Sequence, residues 1–255
     1  MPRNSDLFLP RDLPESLRRI RERTPARIFE GRAGAAYRTS AQLDLREAHA
    51  AARDAVSAEF HLASAFDAEF IARWNLWEVS TCARSKKEYL VRPDLGRRFS
   101  EGAQREISSR GSRECDIQIA IGDGLSVTAI SAQVPALLPL VYDGARERHW
   151  TIGQIFAIRY CRVGILNEIG ELLAPKVAIL LIGERPGLAT AESLSAYMDF
   201  RPGRTHTDAN RNLISNIHGR GISPEAAADR ILNLAAAMMA RRLSGVGLQQ
   251  ALPPG

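Results

Sequence analysis

The sequence predicts an α/β protein: a Rossmann-like, mostly parallel sheet flanked by helices, with a helical N-terminal arm. Three observations predict it. Residues 117–121, 155–158 and 177–182 are short, near-continuous apolar runs rich in β-branched residues. Each run ends in a polar loop containing glycine, and helix-forming stretches separate the runs. Strands that are apolar throughout belong to a sheet covered on both faces, which is the parallel α/β arrangement.

In chain order, residues 1–38 read as an arm. Pro2, Pro10, Pro14 and Pro25 punctuate it, and only residues 15–23 have helix-forming composition. Gly31-Arg32-Ala33-Gly34 makes a flexible turn. A helix follows, with Thr39 at its N-cap and Gln42 completing a capping box. Its apolar positions are Leu45, Ala48, Ala52 and Val56, at helical spacing. Residues 39–112 form a mainly helical part. Within it Leu76-Trp77-Glu78-Val79 suits a strand, residues 84–91 a helix stopped by Pro93, and Asp94 the cap of a helix reaching Ser108.

Residues 113–255 carry the strand–helix–strand pattern. The run at 117–121 is followed by a helix over 126–143, interrupted by Pro135 and Pro139. After the run at 155–158, Ile165, Ile169, Leu172 and Leu173 supply a helical face. Tyr197 to Phe200 suit a further strand. The last helix is capped by Ser223, with Pro224 in its first position and Glu225 at the positive end of its dipole. Ala227, Ile231, Leu234 and Met238 line its buried face, and Gly245 ends it.

The chain has 255 residues, 45% hydrophobic and 25% charged, which is ordinary globular composition. No apolar run approaches the ~18 residues that span a bilayer, and the first residues lack the apolar stretch of a signal peptide. An intracellular protein with no membrane partner is expected. Cys82, Cys115 and Cys161 form no CxxC pair, and the five histidines never fall at HxxxH spacing, so neither a zinc site nor a disulfide framework is expected. Net charge is +5, and the first 46 residues carry ten arginines against six acidic residues. No basic block or aromatic-interleaved patch accompanies this charge, so it reads as a solvated surface plus an arm that docks on an acidic partner, with no nucleic-acid partner.

Ligands of open parallel sheets bind beyond the C-terminal strand ends. Three loops stand there: Gly122-Asp123-Gly124-Leu125-Ser126, Tyr160-Cys161-Arg162-Val163-Gly164 and Gly183-Glu184-Arg185-Pro186-Gly187. Neither GxGxxG, GxxxxGK[ST] nor GxSxG occurs, which argues against classical dinucleotide, P-loop and serine-hydrolase chemistry. Asp123 is either the cap of the following helix or a ligand contact. Glu184 and Arg185 either pair locally or meet a ligand. Residue chemistry alone ends at an α/β domain with an unnamed ligand at its loop edge.

Several ordered segments are similar to the ethanolamine ammonia-lyase light chain family. They are Gly31-Arg32-Ala33-Gly34, Tyr89-Leu90-Val91-Arg92-Pro93-Asp94-Leu95-Gly96-Arg97-Arg98, Asp123-Gly124-Leu125-Ser126, Arg162-Val163 and Glu168-Ile169-Gly170-Glu171-Leu172-Leu173. Ile182-Gly183-Glu184-Arg185-Pro186-Gly187-Leu188, Glu192-Ser193-Leu194-Ser195 and Ile214-Ser215-Asn216-Ile217 complete the set, which covers roughly residues 27 to 245. The resemblance implies the small subunit of an adenosylcobalamin-dependent lyase that converts ethanolamine to acetaldehyde and ammonia by a radical mechanism. It implies a large-subunit partner, a TIM barrel that carries the substrate chemistry, in a hetero-oligomer of heterodimers. This chain would form one wall of the cobalamin site and carry no catalytic residue and no metal ligand. Val163, Glu184 and Leu213 match the family's cobalamin-contacting positions. The complex would be cytoplasmic, free or within a bacterial microcompartment.

The chain departs from the family pattern in three places: Leu213 stands where cysteine is frequent, Cys161 where glycine is frequent, and Asn210 where an acidic residue is usual. It has no DxHxxG motif, which fits a family that leaves the cofactor's own base on cobalt. The competing reading is a stand-alone α/β module binding a nucleotide or small metabolite.

Overall fold

The computed structural model describes residues 14–24, 26–187 and 189–251. Residues 1–13 of the arm, with Pro2 and Pro10, lie outside them, as do Pro25 and Leu188. The elements in order are α1 (Glu15–Glu22), the short hairpin β1 (Arg32–Ala33) and β2 (Ala36–Tyr37), α2 (Thr39–Ser57), α3 (Leu62–Ala65) and α4 (Ala68–Trp74). Then come β3 (Glu78–Ser80), α5 (Lys86–Val91), α6 (Glu101–Arg110), β4 (Ile117–Gly122), α7 (Val127–Glu147) and β5 (Phe156–Arg159). The chain continues with α8 (Leu166–Leu173), β6 (Val177–Gly183), β7 (Leu194–Phe200), β8 (Arg211–Ile217), α9 (Pro224–Arg241) and α10 (Gly245–Ala251).

Six strands form one sheet in the order β3-β5-β4-β6-β7-β8. The first four are parallel, and β7 and β8 add antiparallel. Strands β4 and β6 are buried along their whole length. Side chains alternate between faces along a strand. Ile117, Ile119, Ile121, Ile179 and Leu181 join one core with Ile130, Val134, Leu137 and Val141 of α7 and Ile231 and Met238 of α9. Ala120, Ala178, Leu180 and Ile182 join a second core with Ile107 of α6 and Ile169 and Leu173 of α8. The expected mostly parallel, helix-flanked sheet is thus the observed one.

Several local expectations change. Thr39 is the first helical residue of α2, Arg38 holds the N-cap position, and no side chain caps the helix. Asp94 makes no cap either: its carboxylate is taken by Arg92 at 2.7 Å, and Ser100 caps α6 by accepting from the Ala103 N–H. Helix α7 runs through Pro135 and Pro139 to Glu147, because burial against the sheet and α9 outweighs the lost backbone bonds. Helix α9 is capped by Ser223 as expected but ends at Arg242 in the left-handed region, and Gly245 starts α10. The expected strand at Tyr197 is longer, and β8, unforeseen, follows it.

Asp116 pins the start of β4. It accepts from the Thr151 N–H at 2.8 Å and hydroxyl at 2.9 Å, and meets the Lys176 ammonium at 2.7 Å. Partial burial raises this carboxyl, but the Lys176 and Thr151 contacts together outweigh it and leave it below its usual range. A carboxyl lowered in the folded state stabilises above its unfolded titration range, and the contribution is lost as pH falls through the folded value. Asp116→Asn should therefore lower the unfolding free energy by about 1 kcal/mol at neutral pH. The gap from the parent should close towards about pH 3. Urea denaturation at both pH values checks this, and a gap that does not change with pH would contradict it.

Candidate functional site

The loops after β4 and β5 are tied together by α5. Asp123, directly after β4, has no exposed surface. It accepts from the Cys161 N–H at 2.7 Å and faces the Lys86 ammonium at 3.5 Å. Lys86, itself buried, also donates to the Gly124 carbonyl at 3.3 Å. Three residues along α5, the Tyr89 hydroxyl lies 2.9 Å from the Gly124 carbonyl and 2.8 Å from the Cys161 carbonyl. Its single proton is shared between them. Burial, then the Asp123 charge, push the Tyr89 hydroxyl far up, so it stays a donor. Gly124 sits at φ +55°, where a side chain would run into the Gly183 carbonyl. The β4 and β6 loops therefore touch backbone to backbone, with Leu125 N–H donating to that carbonyl at 3.1 Å.

Burial pushes the Asp123 carboxyl up, against the opposing pull of Lys86 and the Cys161 and Tyr160 N–H groups. Burial and Asp123 also push the Cys161 thiol well up, and burial takes that of Cys115 up to about 11. Both thiols are thus held protonated, and all three cysteines are free. The Cys161 side chain lies over Gly122, where a Cβ would meet its sulfur at 2.6 Å, so a glycine next door makes room for the departure from the family pattern. Asn210 accepts the Thr207 N–H at 2.8 Å through its amide oxygen, a role a carboxylate would also fill.

The β7–β8 side of the site is built around Glu184. Its carboxylate accepts from Ser193 at 2.7 Å, Ser195 at 2.5 Å and the Asn216 N–H at 2.9 Å. A carboxylate has about four acceptor positions, so capacity remains. Asn216 has φ +63° at a register shift between β7 and β8. Leu213 pairs with Tyr197 across the strands and is 47% exposed, a large apolar side chain on the open face.

Val163, Glu184 and Leu213, from three separate loops or strands, line one cavity of about 400 Å³ together with Gly124, Arg162 and Tyr197. A larger groove of about 860 Å³ adjoins it and shares Arg162, Val163 and Tyr197. Asp123 is not a helix cap; Ser126 caps α7. Glu184 is held by serines and a backbone N–H and not by Arg185. Sequence reasoning passed over Tyr89, Arg162, Ser193, Ser195 and Tyr197. All but Tyr197 sit inside the segments that carry the resemblance, which was the available signal.

Fixed backbone, a carboxylate with spare acceptor capacity, the apolar Val163 and Leu213, and the Arg162 guanidinium stacked 4.4 Å from the Tyr89 ring centroid surround one open cavity of this α/β domain. Among the described residues no group of His, Cys, Asp and Glu side chains is placed to hold a metal ion, and no helix is long and apolar enough to cross a membrane. The family model for ethanolamine ammonia-lyase light chain (EutC) matches residues 14–249. Ethanolamine ammonia-lyase small subunits from Clostridium perfringens and Clostridium acetobutylicum are each 40% identical over 92% of this chain, covering 78% and 95% of those proteins. The one from Clostridioides difficile is 40% identical over 90% of this chain and 76% of its own length. The chain belongs to the ethanolamine ammonia-lyase light chain family, whose members are components of a lyase complex.

Tyr89→Phe would remove the donor shared by the Gly124 and Cys161 carbonyls, leaving Gly124 with Lys86 alone and Cys161 without a side-chain donor. It should lower stability by roughly 1–3 kcal/mol. Urea denaturation of the variant measures this, and a loss within error of zero would show that the hydroxyl does not hold the two loops.

Proposed function

We propose that this chain is the small subunit of an adenosylcobalamin-dependent ethanolamine ammonia-lyase and that its loop edge forms one wall of the cobalamin site. The observation that carries the reading is the meeting of Val163, Glu184 and Leu213 on one cavity. A corrin is a flat, largely apolar ring fringed with amide side arms. The residues present fit such a group. Glu184 keeps acceptor capacity for an amide N–H, and its three fixed donors hold it in place. The Val163 N–H opens a 3-10 turn, where no intrahelical acceptor exists, and so is oriented to donate. Leu213 offers apolar contact on the open strand face in place of the sulfur frequent in the family. Bound adenosylcobalamin supplies the cobalt–carbon bond whose homolysis starts the radical conversion of ethanolamine to acetaldehyde and ammonia.

In this reading the chain binds and orients, while a large subunit, a TIM barrel, carries the substrate chemistry. Heterodimers of the two assemble into a higher oligomer. Residues 113–255 hold the cobalamin wall, residues 39–112 support it, and the basic arm over residues 1–38 docks on an acidic surface of the partner. The complex works in the cytoplasm, free or within a bacterial microcompartment.

Co-expression with the neighbouring large-subunit gene, followed by a cofactor-dependent assay for acetaldehyde, tests the assignment. Activity should need both chains; activity from this chain alone would overturn the division of labour. In the assembled complex, Glu184→Ala should weaken cofactor binding about tenfold or more, the worth of a charged hydrogen bond. The rate at saturating cofactor should change much less. The reverse split would contradict a binding role.

A further inference from the structure

The larger groove beside the cavity has an imbalance of charge. Arg97, Arg98, Arg162, Arg204 and Arg211 line it, against Glu168, Glu171 and Asp208. Three of the arginines are matched. Arg98 faces Glu168 at 3.7 Å, Arg204 meets Glu171 at 3.0 Å, and Arg211 holds Asp208 at 2.5 Å and Asn167 at 2.7 Å. Among the described residues Arg97 and Arg162 have no carboxylate within ion-pair distance. Arg162 is stacked 4.4 Å from the Tyr89 ring centroid, and its Nε is buried without a hydrogen-bond partner. The protein itself therefore does not use up the donors of this guanidinium.

Both side chains are also held in place. The Arg162 N–H donates to the Gly96 carbonyl at 2.8 Å. A Cβ on Gly96 would come within 2.8 Å of the Arg162 Cγ, and one on Gly164 within 2.9 Å of the Arg97 Cγ. The Arg162 stem thus lies over Gly96, next to Arg97, and the Arg97 stem over Gly164, two residues beyond Arg162. Stems packed this way lose little further freedom when their guanidinium groups bind. Arg162 stands at the junction, lining both the groove and the cavity that holds Val163, Glu184 and Leu213.

We propose that Arg97 and Arg162 form an anion subsite that takes the phosphodiester of the cofactor's nucleotide tail. The proposal rests on the cobalamin reading above. The corrin side arms are neutral amides, and the phosphodiester is the one anionic group on the periphery of the molecule. A guanidinium fork matches two phosphate oxygens in geometry and charge. Arg162 lines both the cavity and the adjoining groove, so an anionic tail passing from one to the other would meet it.

The test uses the co-expressed complex and two probes, cyanocobalamin and cyanocobinamide, which lacks the nucleotide and its phosphate. Binding is followed by spectral titration. Arg162→Gln and Arg97→Gln, singly and together, should weaken cyanocobalamin binding, roughly tenfold or more for the pair, and leave cyanocobinamide binding unchanged. Arg162→Lys should fall between parent and Arg162→Gln. Arg97 is exposed, so Arg97→Gln folds and keeps the test open should Arg162→Gln not. Equal loss for both probes overturns the phosphate assignment and leaves the cobalamin site standing. Loss of subunit association with cofactor affinity intact also overturns it, since the arginines then serve a partner carboxylate. A parent complex that binds neither probe sinks the cobalamin reading itself, and the subsite with it.

Discussion

A carboxylate with no exposed surface governs the loop edge of this protein. Asp123 follows the last residue of β4, in the middle of the sheet, where water cannot reach it. Burying such a charge is unfavourable unless it is paired and hydrogen-bonded. It is satisfied by the Lys86 ammonium from α5 and by the N–H of Cys161 from the loop after β5. These positions are far apart in the chain, and the need to satisfy one oxygen pair brings them together. That bond fixes Cys161, and the Arg162 N–H that follows is held in turn by the Gly96 carbonyl. Tyr89 repeats the tie one turn along α5, from the donor side.

The site joins two kinds of sheet. The parallel strands contribute loops, which is where ligands of such sheets ordinarily bind. The antiparallel pair β7 and β8 contributes an open face, with Tyr197 and Leu213 side by side and Ser195 reaching back to Glu184. Glu184 is the seam between the two. It leaves the end of β6, yet its hydrogen bonds are to residues of the β7 and β8 segments.

Strands β4, β5 and β6 were legible because their residues, buried on both faces, are apolar almost throughout, Gln118 in β4 being the buried exception. Strand β8 was not, and the reason is the register shift near Asn216. Its buried apolar residues, Ile214 and Ile217, are three apart where a regular strand would space them by two. Helix ends were misjudged where two suitable caps competed, as with Asp94 and Ser100, or where an unsuited residue took the left-handed position, as Arg242 does ahead of Gly245. At the site, residue chemistry pointed to the three loops, but Val163, Glu184 and Leu213 were singled out by family resemblance. Tyr89 and Arg162 were not legible, since their roles come from contacts between α5 and loops remote in sequence.

The edge strand β3 has a bearing on how the chain is made. It pairs only with β5, Glu78 opposite Ala157, and β5 is held on its other side by β4. During synthesis β3 therefore leaves the ribosome with no strand to pair against until β5 follows it. Trp74, Trp77, Tyr89 and Phe99, all buried in the finished protein, pack in part on later residues: Trp74 on Tyr142, Trp77 and Phe99 on Phe156, and Tyr89 on Tyr160. Non-local pairing of this kind forms late and leaves apolar surface uncovered meanwhile. The N-terminal third of this chain thus carries apolar side chains whose cover is complete only once α7, β5 and the loop after it have been made.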